Sequence, residues 1–246
     1  MCWSESVTFA MVASGSAATL YAMHKRMPSA ISATLGYFTV MEGLQAIGYS
    51  YADACGSPVN QTVTLLSYLH IAFQPFFINA LAMELVPHEV RRNVRGWVFG
   101  ACFVSTIFML VQLYPMDWAG LCRDGQPLCG PVLCLVSGSW HIGWEIPFNG
   151  ISIPFDDLVG MNVGFPTYLA TAFVLPLLYG SWRFVIFHTL VGPFLAYHLT
   201  GNLNEMPAVW CLFSIGILVI ALVPKMFDLV SVSNWFAWPA KWKAAS

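Results

Sequence analysis

Seven stretches of this chain are apolar over about 20 residues each, the length that a helix needs to cross roughly 30 Å of hydrocarbon. They cover approximately residues 6–23, 29–50, 62–86, 97–115, 157–179, 183–200 and 207–225. Only 9% of the 246 residues are charged and 58% are hydrophobic, whereas soluble domains average about 25% and about 45–50%. The sequence therefore predicts an all-α integral membrane protein, with residues 1–246 forming a single bundle of seven transmembrane helices.

The distribution of cations predicts how this bundle lies in the membrane. With an odd number of spans and the N-terminus outside, nine of the ten Lys and Arg residues fall on the inner side. This bias follows the positive-inside rule, so the N-terminus is predicted to be extracytoplasmic and the C-terminus cytoplasmic. The expected location is a plasma membrane or a bacterial inner membrane. The lipid bilayer is then the partner of the chain, and a net charge of -2 argues against nucleic acid.

The segment 116–156 is the longest piece outside the predicted spans and is expected to cap the bundle on its outer side. Around Ser137-Gly138-Ser139 the alternating pattern of VLCLVSGSWHIGWEIPF predicts a β-hairpin. On the second strand, His141 and Glu145 share one face, which is expected to point to solvent.

Four cysteines fall in the predicted outer loops, where the environment is oxidising. They are Cys55, Cys122, Cys129 and Cys134. No CxxC motif occurs, so two disulfides are favoured over a metal site, and all three pairings remain open.

The last segment, 226–246, is predicted to be a cytoplasmic interfacial tail. Its sequence NWFAWPAKWKAAS alternates tryptophans with Lys241 and Lys243, a pattern that is typical of chain lying among lipid headgroups.

Polar side chains inside the predicted spans are the candidates for function, because an ionisable group in hydrocarbon is costly. At about 1.5 Å per residue, Glu42 and His70 both lie roughly 12 Å below the outer surface, and Gln74 and His188 lie at roughly 18 Å. His70 and Gln74 are four residues apart and share a helix face. The sequence thus predicts an outward-facing intramembrane polar pocket formed by Glu42, His70, Gln74 and His188.

Neighbouring polar residues extend this prediction. Gln45 and Tyr49 follow Glu42 on one face of the second span, and His198 lies near the outer end of the sixth; these three and Gln74 are the predicted ligand-binding residues. For Gln45 and Tyr49, a role in hydrogen bonds between helices is a simpler interpretation than ligand binding. Asn79 points away from His70 and is expected to hydrogen-bond a neighbouring helix, and Glu84 is expected to pair with Arg91 or Arg92.

A carboxylate beside a histidine suits general base catalysis or metal binding. Glu42 and His70 are therefore the predicted catalytic residues, and Glu42, His70 and His188 the predicted ligands of a divalent metal. Haem, with His70 and His188 as axial ligands, is less favoured because their estimated depths differ by roughly 6 Å.

Three classes of function follow from such a pocket. The first is a protein that binds a metal or an amphiphile, with a lipid-directed metal-dependent hydrolase as its enzymatic form. The second is a transporter of a small solute, and the third is a cofactor-binding or assembly subunit of a membrane complex. The sequence contains neither HExxH nor GxSxG, so it leaves open whether the protein is an enzyme.

Overall fold

Four long helices form the first half of the chain in the computed structural model, which describes residues 4–211, 213–239 and 242. They are α1 (Glu5–His24), α2 (Ser29–Tyr49), α3 (Pro58–Glu84) and α4 (His88–Val111). Three of them, α1, α3 and α4, are long and apolar enough to cross a membrane. The prediction of a mostly helical protein with helices compatible with a membrane is therefore confirmed.

Helices α1 and α2 approach each other closely at a glycine. A Cβ added to Gly15 would lie 2.3 Å from the hydroxyl oxygen of Thr39, so no larger residue fits without a shift. Gly15 belongs to the buried face of α1, which also contains Thr8, Ala18 and Ala22. Small residues at such a face let two helix backbones pack at short distance.

Asn79 joins α3 to the second half of the chain. Its Nδ2 donates to the carbonyl oxygens of Pro75 and Thr171, at 2.9 Å each, and its Oδ1 accepts from the Tyr179 hydroxyl at 3.1 Å. Asn79 is fully buried, and these bonds satisfy both ends of its amide. The predicted role of Asn79 as a contact between helices is confirmed.

The segment between α4 and the second half contains two short strands and a short helix. Strands β1 (Cys134–Ser137) and β2 (Ile142–Glu145) pair antiparallel, and α5 (Ile153–Val159) follows them. The four outer cysteines form two disulfides, as predicted. Their pairing, which the sequence left open, is Cys55–Cys134 and Cys122–Cys129.

Strand β1 is attached to the connection between α2 and α3 by more than a disulfide. The amide of Asn60 accepts from the Leu135 N–H at 2.9 Å and donates to the Leu135 carbonyl at 2.8 Å. Asp53 adds a backbone bond to the Leu135 carbonyl at 3.0 Å. Together these bonds fix β1 against the C-terminal end of α2 and the N-terminal end of α3.

The second half of the chain is built from shorter helices. They are α6 (Pro166–Leu178), α7 (182–199), α8 (Met206–Trp210), α9 (Phe213–Leu222) and α10 (Pro224–Val230). The helix predicted over 157–179 is interrupted, since α5 ends at Val159 and α6 begins at Pro166. Gly160 and Gly164 have φ values of +68°, a conformation that favours glycine and ends a helix.

Helices α6 and α7 each contain a π-helical turn, at Ala170–Val174 and Leu190–Phe194 respectively. Pro193 lies inside the second turn and has no N–H to donate. A π turn changes the register of the backbone bonds and is frequent at functional sites. The Thr171 carbonyl that Asn79 binds lies in the first turn.

The end of the fold opposite the strands contains an ion pair and the segment after α10. Arg91 pairs with Glu84, as predicted. Val232 donates to the Leu85 carbonyl at 2.8 Å, and Trp238 donates from Nε1 to the Tyr179 carbonyl at 2.9 Å. Trp238 is buried. Lys241 and Lys243 of the predicted tail lie outside the described residues.

Candidate functional site

A cavity of about 270 Å³ lies between the helices of the two halves. Its walls come from α2, α3, α4, α6, α7 and α8 and from the loops between helices. Five of the loop residues are Pro127, Leu128, Asn162, Val163 and Leu203, and we call them the cavity mouth. None of the described residues that line the cavity is an Asp, Glu, Lys or Arg.

Most of the lining is aliphatic or aromatic, and polar groups are gathered on one side. This side, the polar wall, consists of Gln74, Tyr168, His188 and Trp210. An apolar cavity with a few convergent polar groups is the usual form of a small-molecule site.

Gln74 is oriented by a single strong contact. Its Oε1 accepts a hydrogen bond of 2.6 Å from the Tyr168 hydroxyl. Because an amide has one acceptor end and one donor end, this contact leaves the Nε2 group as the donor that Gln74 can offer. Gln74 is almost buried and lines the cavity, so a ligand with a hydrogen-bond acceptor could take up this donor.

His188 is held by Trp210 across the cavity wall. The indole Nε1 of Trp210 donates to Nε2 of His188 at 3.2 Å. An indole N–H is only a donor, so Nε2 must accept and the imidazole is uncharged in this arrangement. The ring of Phe173 stacks on the imidazole, with centroids 4.6 Å apart.

Gly192 makes the contact between Trp210 and His188 sterically allowed. A Cβ at this position would lie 2.4 Å from the Trp210 Nε1. Gly192 belongs to the π turn of α7, one turn of helix after His188. The break in α7 thus provides both the space for the indole and the position of the imidazole.

The structure divides the predicted polar pocket among several places. Gln74 and His188 line the cavity, whereas Glu42 and His70 do not. Glu42 lies beside a much smaller void of about 10 Å³, next to Gly15 and Thr39. Of the four residues predicted to form one polar pocket, the structure therefore brings together only Gln74 and His188 in the lining of this cavity.

His70 makes contacts between α2 and α3. Its Nε2 bonds to the Tyr37 carbonyl at 2.7 Å, and the Tyr37 hydroxyl donates to the His70 carbonyl. The two rings stack with centroids 3.8 Å apart. This reciprocal pair gives the histidine a structural role between two helices.

The other predicted ligand-binding residues also lie apart from the cavity lining. Gln45 is buried beside Cys211, the Tyr49 hydroxyl reaches Nδ1 of His141 at 3.3 Å, and His198 is exposed beside Phe194. Within the described part of the chain, no three His, Cys, Asp or Glu side chains are grouped so that they could hold a metal ion.

A buried carboxylate connects the outer cap to the loop between α7 and α8. Glu205 accepts from the N–H groups of Trp140 and His141 and from the hydroxyls of Ser139 and Thr200, at 3.2 and 2.8 Å. We call this cluster the clasp. Glu205 is 0% and His141 1% exposed, so the expectation that His141 would face solvent is wrong.

The clasp explains the protonation of its two titratable groups. Burial by itself would raise the pKa of Glu205, but the hydrogen bonds from His141, Thr200, Trp140 and Ser139 outweigh it and lower that pKa. Burial lowers the pKa of His141 to about 4, although the charge of Glu205 acts in the opposite direction. Nδ1 of His141 accepts from the Ile142 N–H at 2.8 Å, which agrees with a neutral ring.

The neutral state of His141 predicts a pH dependence of stability. Above the unfolded pKa of about 6.5 the ring is neutral in both states, and the folded protein has its full stability. As the pH falls from about 6.5 towards about 4, only the unfolded chain gains the proton. We expect this residue to lower the free energy of unfolding by roughly 2 kcal/mol between pH 7.5 and pH 5.

Thermal unfolding in detergent at both pH values measures this effect. In His141→Asn, whose amide can still accept from Ile142, the drop between pH 7.5 and pH 5 should be smaller by that amount. His88 is exposed, so His88→Asn is the matched control and should unfold like the wild type at both values. An unchanged drop in His141→Asn would show that the ring is not neutral in the folded state.

Sequence reasoning missed Tyr168, Trp210 and the clasp. Aromatic residues in apolar spans are expected as membrane-belt or core residues, so neither ring was distinguished from the others. The Gly192-Pro193 pair was the available signal, because it marks the break in α7 next to His188. Glu205 gave no local signal, since its partners in the turn lie 64 to 66 residues earlier.

Comparison with known proteins identifies a family. The model of a family described as "Family of unknown function (DUF5765)" matches residues 6–230 of the chain. No curated protein and no solved structure matches it.

Proposed function

We propose that this chain, which belongs to the DUF5765 family, is a seven-span membrane protein that binds an uncharged amphiphile in an outward-facing cavity. In this arrangement α1, α2, α3, α4, α6 and α7 each cross the membrane once, and α8 with α9 forms the seventh crossing. Nine of the ten Lys and Arg residues then lie on the inner side, with the N-terminus outside.

The observation that carries this proposal is the lining of the cavity. It contains no formal charge among its described residues, and His188 accepts from Trp210 as a neutral ring. A charged ligand group would have no counter-ion there and would lose its hydration. An uncharged group that accepts a hydrogen bond could instead bind the Nε2 group of Gln74.

The size of the cavity limits the ligand. An apolar cavity of about 150 Å³ can accommodate benzene, and this one measures about 270 Å³. A molecule with two fused rings, or one short segment of an alkyl chain, is the matching size. Its apolar body would contact residues such as Ile71, Ile78 and Met109.

Amphiphile binding is favoured over the metal-dependent hydrolase. The hydrolase would need Glu42, His70 and His188 to bind one metal ion. However, Nε2 of His188 is hydrogen-bonded to the Trp210 indole, and Nε2 of His70 to the Tyr37 carbonyl. A transporter of the same ligand is the second candidate, because both helices with π turns, α6 and α7, line the cavity, and broken helices often form transport sites.

Binding of an uncharged two-ring naphthyl ketone, whose fluorescence changes with polarity, tests the proposal. We expect saturable binding to the protein in nanodiscs, beyond the signal of empty nanodiscs, and no binding of the corresponding naphthalene sulfonate. Leu169→Trp fills the cavity and should weaken binding at least tenfold. Gln74→Leu removes one donor and should weaken it up to about tenfold, as expected for one hydrogen bond of up to about 1.5 kcal/mol.

The control variant is Leu178→Trp. Leu178 belongs to the same helix as Leu169 but is 63% exposed, and it does not line the cavity. It should bind the ketone like the wild type. Equal binding by the wild type and Leu169→Trp would contradict the proposal. The transporter would be favoured if the ketone entered sealed proteoliposomes only when they contained active protein.

A further inference from the structure

An apolar surface lies on the segment between the end of α4 at Val111 and the start of α6 at Pro166. Two stretches contribute to it. They are residues 114–121 and residues 153–161, which comprise α5 and the two residues that follow it. Their exposed large side chains are Tyr114 68%, Trp118 77%, Leu121 72%, Phe155 41%, Leu158 82%, Val159 38% and Met161 65%. We call this surface the collar.

The two stretches of the collar lie next to each other. Gly150, three residues before α5, donates to the Gly120 carbonyl at 3.0 Å, and Leu121 forms a bridge with Asn149. Arg123 and Asp157 pair at 2.8 Å across the same junction. The two stretches that carry the exposed apolar side chains are therefore neighbours in the fold.

Helix α5 has the reverse of the polarity that a water-soluble surface helix shows. Its buried residue is Asp156, which is 3% exposed, while Leu158 on the same helix is 82% exposed. The Asp156 carboxylate accepts from Gln126 at 2.5 Å and from the N–H groups of Val163 and Gly164 at 3.1 and 3.2 Å. A helix in water would bury its leucine, whereas α5 exposes Leu158 beside Asp157, whose carboxylate is paired with Arg123. An apolar face whose one exposed charge is paired fits a helix that meets lipid.

Continuity with the membrane supports the same partner. The collar begins at Tyr114, three residues after the end of α4, which is one of the helices able to cross a membrane. Tyr and Trp at this place are the residues that prefer the membrane interface. No basic cluster accompanies them, since Arg123 is already paired with Asp157, so apolar burial and not attraction to anionic lipids would hold the collar.

We propose that the collar is inserted into the outer leaflet at the level of the headgroups and first acyl carbons, and that the cavity mouth opens into this leaflet. The mouth follows directly from the collar in the chain, because Met161 precedes Asn162 and Val163, both of which line the cavity. An amphiphile dissolved in the leaflet would then enter sideways, without crossing bulk water. The position of the collar does not depend on any ligand, whereas the route of entry rests on the proposed binding function.

Depth measurements on single labelled cysteines test this arrangement. Leu158→Cys reports on the collar, Asn162→Cys on the mouth, and Ser137→Cys, which is exposed at the end of β1, is the control on the cap. Each is labelled with an environment-sensitive nitrobenzoxadiazole dye and reconstituted in phosphatidylcholine vesicles, with or without lipids that carry a nitroxide near the headgroup. Protein without an added cysteine gives the background.

We expect nitroxide lipids to quench the labels at positions 158 and 162 at least twofold more than the label at 137, and aqueous cobalt ions to quench them less. Equal quenching at 158 and 137 would overturn the insertion of the collar. Lipid quenching at 158 combined with cobalt quenching at 162 would overturn the opening of the mouth into the leaflet. These readouts use no ligand, so they stand apart from a failure of the naphthyl ketone to bind.

Discussion

Replacing Glu205 with alanine is expected to lower the free energy of unfolding by roughly 3 kcal/mol or more. This is the largest effect that we predict for a single substitution. The variant leaves the N–H groups of Trp140 and His141 and the hydroxyl of Thr200 without their acceptor in a buried place. A buried donor without a partner costs about 1 to 3 kcal/mol. Thermal unfolding in detergent, followed by tryptophan fluorescence, measures the loss.

Two further variants separate the charge from the shape. Glu205→Gln keeps one acceptor but places an NH₂ group against other donors. This variant should therefore be more stable than Glu205→Ala and less stable than the wild type. Asp117→Ala removes an exposed acid of the same outer segment and should change stability by less than about 0.5 kcal/mol. Similar stability of Glu205→Ala and Asp117→Ala would show that the clasp does not hold the cap.

Removing the Cys55–Cys134 disulfide is expected to cost about twice as much stability as removing Cys122–Cys129. The first closes a loop with a sequence separation of 79 and the second a loop with a separation of 7. The chain-entropy relation gives about 4.5 kcal/mol for the long loop and about 2.4 kcal/mol for the short one. The two double alanine variants, compared under the same oxidising conditions, provide each other's control.

The contacts around β1 modify this expectation in one direction. Asn60 still holds Leu135 by two hydrogen bonds when the disulfide is absent, so the folded cap should keep its position and the loss should come from the unfolded chain. Triple variants with Asn60→Ala should then lose further stability. An equal cost for the two disulfides would contradict the loop-length argument.

The parts of the fold that follow from local composition could be predicted from the sequence. The apolar stretches, the outer cysteines, the pair of Glu84 with Arg91 and the role of Asn79 depend on residues whose neighbours are close in the chain or whose polarity is unusual for a span. The pairing of the cysteines could not be deduced, because four cysteines allow three arrangements.

The candidate site could be predicted only in part, for a geometric reason. Residue counting predicts a common depth for Gln74 and His188, and both residues line the cavity. Direction around the helix does not follow as safely. The π turns of α6 and α7 change the helical register, and only the second has a sequence signal, Gly192-Pro193. Glu42 and His70 lie on α2 and α3, and a shared predicted depth does not show that their side chains lie away from the cavity.

The sequence separations across the clasp also determine the order in which its residues are synthesised. Cys55 and Asn60, which hold β1, are synthesised before it, whereas Glu205 follows His141 by 64 residues. At about 5–20 residues per second, translation of that interval takes roughly 3 to 13 s. Throughout this time the residues that bind β1 have been synthesised, but the turn at 138–141 still lacks its acceptor, the Glu205 carboxylate. The cap is thus begun early in synthesis and completed only after α7 and Glu205 have been made, so a chain that ends before Glu205 carries an incomplete cap.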